Sequence, residues 1–185
     1  MTRVNDAPRT PDSCRLALPS EAERLAAIQR RSWEQQFPGD VARSILGHLD
    51  LATMTQSWET AIARPPLAKL RVLVAVEDGR PVGFAAVGPS DDPDADPAAD
   101  GLVGEFIIDP PAQNQGHGSR LLNAVADTLR ADSFSRATWW VRSNDDRLRA
   151  LLESSGWAAD GAHQAVGTDE DAAPVKMLRF HTALA

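Results

Sequence analysis

The chain has 185 residues, 43% hydrophobic and 24% charged, with a formal net charge of −7. That length suits one domain with a substantial core, and the composition is that of an ordinary globular protein. The acidic balance argues against a nucleic-acid partner, no apolar run approaches the ~20 residues of a membrane span, and Cys14 as the only cysteine excludes an internal disulfide.

Residues 1–12 are polar, hold two prolines and lack the apolar stretch of a secretory signal. They read as a disordered tail before a single domain at 13–185, with a cytoplasmic location expected. Cys14–Leu18 alternates as a short strand. Ser20 is placed to cap a helix, with Glu23 at the capping-box position and Leu25, Ile28 and Trp33 following before Pro38-Gly39. One helical region is then expected from Val41 to Ile62, with Ile45, Leu46, Leu49, Met54, Trp58 and Ile62 as its apolar positions.

Leu70–Val76 reads as a strand, Asp78-Gly79 as a hairpin turn and Arg80–Val87 as the return strand. The stretch 89–100, with Asp91, Asp92, Asp94, Asp96 and Asp100, reads as a mobile, solvated loop, or as a lure for a cationic acceptor. Leu102–Ile108 is the next strand, and a helix over 118–130 puts Leu121, Leu122, Val125 and Leu129 on one face. Ala137–Val141 is a strand whose adjacent Trp139 and Trp140 point to opposite faces, one to the core and one toward a cleft. A helix at Asp145–Ser154 and a terminal strand at Val175–Phe180 complete the order. The pattern suits a mixed α/β sheet with helices on both faces.

Between the strand ending at Ile108 and the helix that follows lies Gln113-x-x-Gly116-x-Gly118. Such a turn gathers unpaired backbone N–H groups at a helix N-terminus, where the dipole favours an anion, and the glycines let a diphosphate come close. A P-loop would need a lysine after the glycines, and a dinucleotide site a third glycine where Leu121 stands.

With Ile108-Asp109-Pro110 before it, this motif resembles the acyl-CoA-binding motif of the GNAT N-acetyltransferases. The second half agrees: a strand, Asn144, and a helix ending in Leu151-Leu152-Glu153-Ser154-Ser155-Gly156-Trp157. Ser32-Trp33 and the hairpin from Glu77 to Phe84 are in the same style, so the resemblance covers about Leu16 to Phe180. It implies an α+β fold with a splayed, mostly antiparallel sheet, and acetyl-CoA as acyl donor. The main chain of Phe106, Ile107 and Ile108 would pair with pantetheine. The amides of Gln113, Asn114, Gln115, Gly116, His117, Gly118 and Ser119 would hold the diphosphate, the His117 side chain itself staying exposed. Asn144 would orient the cofactor, cap the next helix, or both. Trp33 and Trp58 would border the acceptor pocket, and terminal strands pairing between subunits would give a homodimer.

The implied reaction is direct acetyl transfer to a primary amine of a small molecule or protein. Glu105 is the candidate base, with Asp109 in reserve, and a strand amide would stabilise the oxyanion. Family members commonly place a tyrosine beside the sulfur as acid; this chain has Leu152 there and no tyrosine anywhere. That departure motivates two alternatives: a non-catalytic acyl-CoA-binding sensor or partner module, and transfer of a longer acyl chain into a pocket widened at Leu152. His48, His117, His163 and His181 match no metal-ligand spacing.

Overall fold

Asp78 and Gly79 both take positive φ, 46° and 78°, as a two-residue hairpin turn demands. They join strand β2 (Arg71–Glu77) to β3 (Arg80–Pro89) in a computed structural model that describes residues 13–37, 39–167 and 174–184. The tail expected at 1–12 lies outside the described residues. Around the hairpin stand β1 (Ser13–Leu16), β4 (Asp100–Ile108), β5 (Arg136–Arg142), β6 (Ala158–Val166) and β7 (Val175–Ala183). They form one sheet in the order β1-β2-β3-β4-β5-β7-β6, antiparallel except between β4 and β5.

The alternation along β2 divides the core in two. Leu73 and Ala75 face helix α4 (His117–Ala131), whose Leu121, Leu122, Val125 and Leu129 are buried with Val103, Trp139 and Phe180. Val72, Val74 and Val76 face the other way, toward Leu25 and Ile28 of helix α1 (Ala22–Gln36), with Phe84 and Ile107 between. Each such fully buried leucine or valine contributes about 1.5–3 kcal/mol relative to exposure. Helices α2 (Gly39–His48) and α3 (Leu51–Ala63) follow α1, and α5 (Asp146–Ser154) follows β5. Among the described residues no helix is long and apolar enough to cross a membrane.

Three local expectations are corrected. The start of α1 is secured by Glu21, not by Ser20 and Glu23: Glu21 accepts the Leu18 N–H at 2.8 Å and pairs with Arg15 at 2.6 Å. The single helix expected over Val41–Ile62 is two, because Asp50 accepts the Thr53 N–H at 2.7 Å and starts a new helix at Leu51. Strand β6 had no counterpart in the pattern, since almost every residue of this edge strand is exposed and no alternation marks it.

The aspartate-rich stretch 89–100 is pinned. Arg179 of β7, itself 7% exposed, reaches Asp94 at 2.6 Å, Asp160 at 2.7 Å and Asp92 at 3.2 Å, and Asp100 holds Arg136 through both oxygens. Of the two adjacent tryptophans Trp139 is the core residue, and Trp140 faces no cleft: it donates to Asp92 at 2.8 Å and lies beneath the Arg179 guanidinium. The hydrogen bonds from Arg179 hold the Asp94 carboxyl below its ordinary range. Arg179→Met strands several carboxylates beside one another; because part of the cluster can turn to water, the expected loss is about 2 kcal/mol, read by urea unfolding.

Candidate active site

Strands β4 and β5 pair only from Asp100 to Val103 against Arg136 to Trp139. Beyond that point β4 carries a bulge: Ala86 of β3 faces Glu105 and Val87 faces Val103, leaving Gly104 between them unpaired. A bulge bends its strand, and here β4 turns away from β5. One edge of Phe106–Ile108 remains laddered to β3 while the other borders a cleft of about 580 Å³. Phe106, Ile107 and Ile108 form one wall, and Asn144, Leu148 and Leu151 the other.

The end of the cleft is the start of α4. Gly116 sits at the N-cap in the left-handed region, with φ 84°. The Arg120 N–H to Gly116 carbonyl bond, 3.2 Å, is the first that closes on this cap, so the amides before it point out of the helix. Gln113, Asn114, Gly116, Gly118 and Ser119 all line this end. The Gln113 side chain is fixed from both ends: it donates to the Ile108 carbonyl at 3.2 Å and accepts from Arg147 at 2.9 Å. Arg147 also donates to the Asn114 side-chain oxygen Oδ1 and lines the cleft. Sequence reasoning passed over this arginine. The available signal was a cation in the first turn of α5, where the helix dipole opposes it.

Two expected cofactor residues are not in the cleft wall. Gln115 folds back to donate to the Pro111 carbonyl at 3.2 Å. His117, expected to be exposed, is only 1% exposed. It lies four residues before Leu121 on the buried face of α4. Arginine can only donate, so the 2.8 Å contact from Arg120 makes His117 Nδ1 the acceptor and puts the ring proton on Nε2, 3.8 Å from Glu77. Asn144 does face the cleft, but Asp145 caps α5, accepting the Leu148 N–H at 3.0 Å.

Leu152 is completely buried in the α4-side core and takes no part in the cleft wall. Leu148 and Leu151 stand there instead. None of the three can give a proton to a thiolate, and Leu152 cannot widen an acyl pocket.

Glu105 follows the bulge and points to the same face as Ile107, toward α1 and α3. Gln29 of α1 donates to it at 3.0 Å, and Trp33, also on α1, hydrogen-bonds it as well. Burial pushes the Glu105 carboxyl up to about 7, against the two hydrogen bonds, which favour the charged form. Trp58 of α3 reaches the same cluster indirectly, donating to Gln29 at 2.8 Å. Asp109 is committed elsewhere: Arg31 bonds both its oxygens at 3.1 and 2.8 Å, and Arg24 approaches to 3.3 Å. At the mouth of the cleft, Arg142 of β5 bonds the Gln36 carbonyl at 2.5 Å and Asp145 at 3.1 Å, joining the end of α1 to the start of α5.

A chain with this fold and cleft has known relatives. It is 30% identical over 128 residues to a mycothiol acetyltransferase from Kineococcus radiotolerans, covering 65% of this chain and 40% of that protein. It therefore spans about two fifths of that relative's length. Among solved structures, it resembles an N-acetyltransferase from Staphylococcus aureus with a TM-score of 0.75 at 14% identity, over 95% of this chain and 100% of the other. It also resembles yncA from Salmonella typhimurium, solved with its cofactor acetyl-CoA, with a TM-score of 0.73 at 17% identity over 95% of each chain. The acetyltransferase (GNAT) family model matches residues 25–157, most of the chain, and the protein belongs to that family, whose members use acetyl-CoA.

Proposed function

We propose that the protein transfers an acetyl group from acetyl-CoA directly to a primary amine. The observation that carries this reading is the parting of β4 from β5 one residue before Glu105. It places an unladdered strand edge, a helix N-terminus and a half-buried carboxylate along one nine-residue strand and the turn after it. The cofactor supplies an activated acetyl thioester. The N–H and C=O groups of Phe106–Ile108 bind its pantetheine as a neighbouring strand would, and the α4 amides with Arg147 hold its phosphates. Asn144 lies on the opposite wall, beside the same chain.

Glu105 accepts the proton of the incoming ammonium, directly or through a water. With its carboxyl near 7 it is half ionised at neutral pH, the range in which a general base works best. A strand amide of Phe106–Ile108 donates to the carbonyl oxygen as charge develops there. Leu148 and Leu151 would offer the leaving thiolate no proton, and a free thiol pKa of about 8.5 would let water serve in their place. Trp33 and Trp58 border the acceptor on the α1/α3 face.

Calorimetric titration with acetyl-CoA and with free CoA tests the cleft, with micromolar binding expected. Release of CoA that depends on an added amine then tests transfer. The amine panel includes mycothiol-related compounds, because of the likeness to mycothiol acetyltransferase. Tight binding with no amine-dependent release across the panel would favour the sensor reading instead. Arg147→Ala should weaken acetyl-CoA about tenfold at low salt and less at high salt, the mark of an exposed charge contact.

A further inference from the structure

We infer that Trp58 and Gln29 form a two-step positioning relay that fixes which end of the Gln29 amide faces Glu105. The inference rests on the reading of Glu105 as the base and assigns what sets its protonation. Three elements supply the parts: Trp58 from α3, Gln29 from α1 and Glu105 from β4.

A glutamine amide has two unlike ends, one accepting and one donating, and can turn either toward a neighbour. The indole N–H of Trp58 only donates, so at 2.8 Å it captures Gln29 Oε1. That leaves Nε2 to face Glu105 Oε2 at 3.0 Å as a donor. A donor there favours the carboxylate; the turned amide would offer oxygen and favour the protonated acid instead. Gln29 is buried, so water is a poor substitute for either partner. Trp58 is held in turn by Phe84, edge to face at 4.9 Å.

Burial raises the Glu105 carboxyl, and the relay is the larger of the two side-chain contacts that oppose it. From α1 it meets Gln29 and Trp33, and Ala86 lies opposite on β3. The arginines of α1 and Arg142 of β5 pair elsewhere: Arg30 with Glu34, Arg24 and Arg31 with Asp109, and Arg142 with Asp145.

The relay predicts that Trp58→Phe, which keeps a ring but removes the donor, frees Gln29 to turn. Gln29→Leu removes the amide at similar volume. In both, the Glu105 carboxyl should titrate about one pH unit higher than in the unmodified protein. The experiment is a pH titration by NMR of full-length protein carrying ¹³C at glutamate side-chain carboxyls, with the Glu105 signal identified by its absence in Glu105→Gln. It needs neither acceptor nor acetyl-CoA. A Glu105 signal that moves upward in both variants supports the relay. One that stays near 7 in all three proteins overturns the relay and leaves the base intact. A wild-type signal titrating in the ordinary glutamate range overturns the poised base and the relay together.

Discussion

Replacing Glu105 by glutamine is expected to lower amine-dependent turnover by about 10²–10⁴-fold while raising the melting temperature at alkaline pH. The two effects have one cause. Burial raises the carboxyl to about 7 from an ordinary 4.5. A carboxyl raised in the fold binds its proton more tightly there than in the unfolded chain, so stability falls as pH rises between those two values. The cost is absent below pH ~4.5 and complete above pH ~7, on the order of 3 kcal/mol for the full displacement. Glutamine carries no charge to desolvate, so the variant should melt several degrees higher than the wild type at pH 8 and together with it at pH 4.5. The activity profile runs the other way: wild-type kcat/KM should climb through about pH 7 as the carboxylate forms, and the variant should lose that limb. A thermal scan and a rate profile over the same pH range check both. If the limb survives in the variant, the base lies elsewhere. If the melting difference does not change with pH, the Glu105 carboxyl is not raised in the fold.

The sequence carried the cleft further than it carried the residues around it. The alternation of β2 and the periodicity of α4 were legible because burial enforces them, and the Asp78-Gly79 turn because positive φ suits few residue types. The glycine turn was legible for the same reason: a positive φ at Gly116 leaves few residue choices. Where position is set by partners distant in the chain, the pattern was silent. Arg179 lies 85 residues beyond Asp94, so the aspartate run looked solvated although it closes around a buried guanidinium. Gln29 stands 76 residues from Glu105 and 29 from Trp58, and no local spacing connects them.

Leu152 and His117 show a different limit. Both were placed by motif position, and both turned out to follow helix faces instead. His117 shares the face of Leu121 and Val125, and Leu152 packs into the same core, while Leu148 and Leu151 turn to the cleft. Counting helical periods from Leu121 would have assigned His117, whereas Leu148 and Leu152, four residues apart, share a side of α5 and are separated only by how deeply each is packed. The departure at position 152 consequently concerns packing, and the missing proton donor is a property of Leu148 and Leu151 as well. On the proposed mechanism no side chain of the cleft wall would protonate the leaving thiolate, and slow turnover is the expected signature.

Gly116→Val should abolish detectable acetyl-CoA binding while leaving most of the fold in place. Gly116 has φ 84°, a region that β-branched residues enter only with strain of roughly 1–3 kcal/mol. Two responses are open to the chain. If the backbone holds, the valine Cβ stands 3.5 Å from Arg120 Nη1 and its methyls crowd the turn beside the proposed phosphate seat; if it relaxes to negative φ, the α4 amides swing away from that seat. Either way the donors and the anion no longer meet, and a loss of 10²-fold or more in affinity follows from several charge-assisted bonds failing at once. The core contributes a separate readout, because Leu121, Val125 and Leu129 lie one to three turns inside α4 and stay packed. Gly116→Ala separates the two causes: alanine bears about 1–2 kcal/mol of the left-handed penalty but little of the bulk. Calorimetry on the two variants, with circular dichroism as the control for folding, should show binding weakened by alanine and absent with valine. Binding of wild-type strength in the valine variant, with the helix intact, would place the phosphates somewhere other than the start of α4 and remove the main support for acyl-CoA in this cleft.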